Sequence, residues 1–97
     1  MTEKFSRYDS ADYLKTEEDI QLYFEACLEE SDPALIAHAL GVIARARGMT
    51  KLARDTGLTR EGLYKALSAD GNPEFATVMK VINALGLRLH ATTVPLA

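Results

Sequence analysis

The chain has 97 residues, 47% hydrophobic and 26% charged, with no tryptophan, an ordinary globular composition too short for two independent domains. Its one cysteine, Cys27, excludes an internal disulfide and a thiolate metal site, which makes the reducing cytoplasm the expected compartment. The net charge of -3 is unevenly placed, with three basic against ten acidic side chains from Met1 to Asp32 and eight against four from Pro33 to Ala97. The second part can attract phosphate locally although the molecule is acidic, because screening confines each field to about 8 to 10 Å.

In chain order, residues 1–15 carry no apolar signal-peptide core and are expected to be partly flexible, and no stretch reaches the roughly 20 apolar residues that span a bilayer. Neither secretion nor membrane insertion is expected. Residues 16–97 read as a single domain. A first helix starts after Thr16, which can cap it while Asp19 reaches back in an acidic version of the capping box. Ile20, Tyr23, Phe24, Cys27 and Leu28 then repeat on one face and are assigned to the core. Cys27, inside that stripe and without an activating partner in the sequence nearby, reads as structural.

Asp32-Pro33 is a second start signal, because Asp caps well and Pro is tolerated at the first helical position. Leu35, Ala39, Val42, Ile43 and Ala46 supply the buried stripe as far as about Arg47, and Gly48 suits the residue that closes a helix. His38 lines up with Ala34, Gly41 and Arg45, off that stripe, and is expected in solvent. Thr50 is the expected cap of a third short helix that Gly57 ends, and Thr59 that of a fourth through Leu63, Tyr64 and Leu67. Asp70-Gly71-Asn72-Pro73 is a turn cluster. A fifth helix places Phe75, Val78, Met79, Ile82 and Leu85 on its apolar side and stops at Gly86.

Beyond Gly86 the pattern changes to a period of two, with Leu87, Leu89 and Ala91 on one side and Arg88, His90 and Thr92 on the other. This predicts a strand over about 87–94. A strand without a partner in its own chain would satisfy its backbone by pairing with a second copy, which makes Leu87, Leu89 and Ala91 candidates for a dimer contact.

The stretch that bears on function runs from Met49 to Leu67. Ala53 is small where two short helices would cross, Gly57 permits a left-handed turn, and Leu52, Leu58, Leu63 and Leu67 fill the space beneath. Thr59, Arg60, Glu61, Tyr64 and Lys65 are left as a polar face of the size a major groove admits. With Ala53, Gly57, Leu63 and Ala66-Leu67 at these offsets, the stretch resembles the helix-turn-helix of the Cro and phage-repressor superfamily over about 50–67. The resemblance implies a mainly α, five-helix, lambda-repressor-like domain. It makes Thr59, Arg60, Glu61, Tyr64 and Lys65 the base-reading candidates, and Arg47, Thr50 and Lys51, around the start of the first motif helix, the phosphate contacts. Gly62 is unusual inside such a helix, costing about 1 kcal/mol relative to Ala.

A wider set of segments, Asp32-Pro-Ala-Leu, Ala44-Arg-Ala-Arg-Gly-Met, Leu63-Tyr-Lys-Ala-Leu, Asp70-Gly-Asn-Pro-Glu-Phe-Ala-Thr-Val and Ala84-Leu-Gly-Leu, resembles the probable addiction-module antidote proteins, the HigA-like antitoxins, over roughly Tyr13 to Leu89. That resemblance implies a RelE-like toxin as partner and, as a homodimer on double-stranded DNA, repression of the operon encoding both. A phage-type repressor with no toxin partner would share every helix-turn-helix feature, and an adaptor using the motif only to dimerise would lack salt-dependent DNA affinity. Phe5, Tyr8, Tyr13 and Leu14, set among charges, could order on a basic partner and are candidates for the toxin contact. No nucleophile with a base, paired carboxylates or metal cluster is legible, so neither catalysis nor a cofactor is expected.

Overall fold

A computed structural model describes residues 10–68 and 70–96. A single 3₁₀ turn, Ser10–Tyr13, leads into five helices: α1 (Glu17–Glu29), α2 (Pro33–Arg47), α3 (Met49–Thr56), α4 (Arg60–Ala66) and α5 (Phe75–Ala84). Three of the five starts are written in side chains that bond back to the backbone. Asp19 N–H donates to Thr16 Oγ1 at 3.0 Å while Thr16 N–H donates to the Asp19 carboxylate at 3.1 Å, completing the capping box of α1. Asp32 accepts from Ala34 N–H with Pro33 behind it, and Thr59 accepts from Gly62 N–H at 2.9 Å. Each such cap stabilises its helix by about 1 kcal/mol.

α2 is the centre of the molecule, packed against the 3₁₀ turn, α1, α3 and α4. That explains why it is buried around much more of its circumference than a single stripe allows. Ala39, Val42 and Ile43 lie in the core as expected, but so do Ala37, Leu40, Gly41 and Ala44, whereas Leu35 and Ala46 are only half-buried. Gly41 is buried for a local reason: a Cβ there would stand 2.7 Å from the carbonyl oxygen of Leu67. The backbone just past α4 therefore rests directly on α2. His38 is exposed. The core joins Ile20, Phe24 and Cys27 of α1 to Leu40 and Ile43, to Leu52 and Leu63, and to Val81, Ile82 and Leu85 at the other end of the chain.

Burial pushes the Cys27 thiol above its ordinary value, and the Tyr23 hydroxyl, one turn back, shares a hydrogen bond with it and is itself raised by burial. Both groups are therefore neutral at physiological pH.

The structure corrects the expectations at three places. Thr50 does not cap α3: the helix begins at Met49, with Gly48 as its N-cap and no side-chain cap bond. Gly48 is at once the C-cap of α2, and its φ of 112° lies where only glycine is at ease. Met49 is buried, so the chain enters the core immediately and leaves no room for a capping turn. Phe75, placed on the apolar side of α5, is 73% exposed, while Val81, which the stripe omitted, is fully buried. Third, no strand forms over 87–94. Leu87 and Leu89 are half-buried against the core while Arg88 and His90 face out, so the alternation is that of an extended segment laid on the molecule, with no second strand among the described residues to complete a ladder.

Candidate nucleic-acid interface

α3 and α4 are joined by three residues, Gly57 to Thr59. The turn works because Gly57 adopts φ 76°, ψ 12°, the left-handed conformation, while Gly57 N–H and Leu58 N–H both donate to the Ala53 carbonyl. Thr56 adds a hydroxyl bond to the Leu52 carbonyl at 2.8 Å. Ala53 and Leu58 are half-buried under the turn, and Leu52, Leu63 and Leu67 are in the core. At seven residues α4 is far below the roughly 12 to 15 at which an isolated helix becomes even marginal. It is helical because Leu63 and Leu67 anchor it from behind.

The opposite face of α4 is open. Thr59, Arg60, Glu61, Tyr64 and Lys65 are all exposed, Tyr64 by 46%. These are the five residues expected to form one face, and the structure brings them together. Thr59 already accepts the Gly62 N–H and keeps its hydroxyl proton and a second lone pair. Gly62 also finds a local explanation: a Cβ there would meet Thr59 Oγ1 at 3.0 Å, crowding the cap. A shallow hollow of about 210 Å³ beside this face is lined by His38 and Arg45 of α2 together with Tyr64. Arg45 thus borders this face, although sequence reading assigned it no contact. No periodicity could have revealed this, because the proximity depends on how α4 crosses α2.

The three phosphate candidates surround the start of α3, but two hold carboxylates. Arg47 Nη2 lies 3.6 Å from Glu17 Oε2, and Lys51 Nζ lies 2.8 Å from Asp55 Oδ2. The hydrogen bond from Lys51 holds the Asp55 carboxyl below its ordinary value. Exposed pairs of this kind contribute little and exchange readily for a stronger anion. Thr50 is exposed. Between Arg45 and Lys65 six basic residues stand against two acidic ones, with the uncapped start of α3 among them. Among the described residues, no group of three or more His, Cys, Asp and Glu could hold a metal ion, and no helix is long and apolar enough to cross a membrane.

Of the remaining candidates, Phe5 and Tyr8 lie outside the described residues. Tyr13 is 58% exposed and Leu14 packs against the core. In the C-terminal segment Ala91 is exposed, whereas Leu87 and Leu89 face their own domain.

Among the described residues the chain is helical, with two short helices locked by a glycine turn that present a polar and basic face. The family model described as probable addiction module antidote protein matches residues 4–93, and the chain belongs to that family. It is also 58% identical over 90 residues to an uncharacterized protein of Haemophilus influenzae, a match covering 93% of each chain. No solved structure shows significant similarity to it. Membership of an antidote family implies a toxin of some kind as partner.

Proposed function

We propose that this protein is the DNA-binding antidote of a toxin–antidote pair, which neutralises a RelE-like toxin and, as a dimer, represses the operon that encodes both. The observation that carries the DNA-binding half is the face of α4: five exposed polar side chains on a helix held from behind by Leu63 and Leu67, next to the uncapped start of α3. In this reading α3 and α4 are a helix-turn-helix and α4 enters the major groove. Arg60, in the first turn of α4, donates two bonds to guanine O6 and N7, worth about 1 to 3 kcal/mol of discrimination. Glu61 accepts from cytosine, and Tyr64 and Lys65 extend the contact. Arg47, Thr50 and Lys51 position the complex on phosphates, Arg47 and Lys51 giving up Glu17 and Asp55 as they do so. The antidote family supports the toxin half over a repressor acting alone.

The deciding experiment is a titration of the protein on the DNA upstream of its own gene at two salt concentrations, beside Arg60→Ala. Sequence-selective binding is expected, falling with salt by about 0.9 log units per log unit for each phosphate contacted, with selectivity lost in Arg60→Ala. Binding no tighter than to random DNA would rule out the repressor role, and full selectivity in Arg60→Ala would remove that residue from base reading.

A further inference from the structure

A groove of about 610 Å³ runs between the end of α1, the first half of α2, the outer side of α5 and Gly71 to Pro73, which pack beside the end of α4. Phe24 and Leu28, Ile36, Phe75 and Val78, and Leu89 of the C-terminal segment line it. Phe75 stands at its edge almost uncovered, and none of the five exposed residues of the α4 face takes part. The charge around the groove is mostly acidic, although Arg88, exposed beside Leu89, is basic. Asp32 is the only charged residue among those lining it. Glu25, next to Phe24, and Glu29, next to Leu28, are exposed on α1, and Glu74 is exposed beside Phe75.

We infer that this groove is the toxin-docking surface, and that it takes an amphipathic helix whose apolar stripe enters between α1 and α5 and whose flanks are basic. The inference rests on the antidote reading above and adds to it a place and a chemistry. An apolar channel of this kind accepts side chains spaced along one helix face, and an acidic border selects a cationic partner and speeds its approach. A second copy of the chain fits worse, because a two-fold contact through this face would set the acidic border against itself. The groove and the α4 face share no residue, although Gly71 to Pro73 of the groove also border Lys65 of that face.

The test uses the full chain and the purified product of the reading frame adjoining its gene, with affinities for that product and for the upstream DNA measured by calorimetry. Phe75→Glu changes a side chain already in water, so the melting temperature and DNA affinity should be unchanged while affinity for the product falls by about tenfold or more. Glu25→Lys with Glu29→Lys should lower it by a further factor of about three and flatten its salt dependence. Arg60→Ala should do the reverse, losing DNA selectivity and keeping the product. If the product binds the native chain and both groove variants equally, the groove is not its site. If Phe75→Glu instead changes only the oligomeric state in light scattering, the groove joins two copies and the inference fails. A native chain that ignores the product altogether overturns the antidote reading itself, a different result from either.

Discussion

α1 and α4 are both amphipathic and both begin at a capping threonine, yet they are held in opposite ways. α1 has thirteen residues, a complete capping box and three buried side chains distributed along its length. α4 has seven residues, one buried side chain within it and Leu67 just beyond. The first carries much of its own stability; the second is helical only where the core requires it. The difference separates fold from function. On α4 the apolar anchors Leu63 and Leu67 are not among the residues of the open face, and only Thr59 both caps the helix and belongs to that face, so the rest of the face can change without touching the anchor.

The largest break in this comparison should come from Leu63→Ala. It empties a fully buried site and should cost about 2 to 5 kcal/mol in chemical denaturation, with DNA binding lost alongside. A loss below about 1 kcal/mol would mean that α4 is held by something else. Gly41→Ala comes next. Alanine is the better helix former, but its Cβ would be pressed against the Leu67 carbonyl oxygen, a backbone atom that cannot swing aside. Overpacking should win by about 1 to 3 kcal/mol.

The caps sharpen the contrast. Thr16→Ala and Thr59→Ala should each cost about 1 kcal/mol, but only the second should weaken DNA binding, because the first turn of α4 carries Arg60 and Glu61. Equal effects on binding would show that α1 and α4 are not separable. Arg60→Ala should leave stability within about 0.5 kcal/mol of the native chain, so its effect should appear in DNA binding alone. Smallest of all is Asp55→Asn. The carboxyl lies below its ordinary 3.8, so any stability it contributes with Lys51 is present at neutral pH and is lost as the pH falls below that value. The variant and the native chain should differ slightly in melting temperature at pH 7, and the difference should shrink as the pH falls below 3.8.

The same contrast explains what could be read in advance. Caps were legible because Thr16 with Asp19, Asp32 with Pro33, and Thr59 each act on backbone a few residues away. The turn at Gly57 was legible because a left-handed residue there follows from local geometry, and the face of α4 because its polar residues recur at helical spacing. The all-round burial of α2 was not, since it arises from four neighbours that no window along the chain contains. Phe75 was misplaced for a related reason: it opens α5 and overhangs a groove with no element to cover it. In the C-terminal segment the alternation holds only as far as Leu89, with Leu87 and Leu89 turned inward and Ala91, placed on the same side, exposed. What the pattern could not say is whether an extended segment finds a second strand or simply lies on the core.

Gly48, shared between the end of α2 and the start of α3, bears on how much length variation the chain tolerates. Lengthening α2 by one helical residue before Gly48 would turn α3, and α4 with it, by about 100° about the α2 axis and advance them about 1.5 Å, carrying Leu52 and Leu63 away from the core. The segment between α4 and α5 is longer, eight residues, 67–74, and is held mainly where Leu67 rests on α2 and Gly71 packs against the end of α4. Related chains that differ in length should therefore place insertions and deletions in that second connection and keep the first at a single residue.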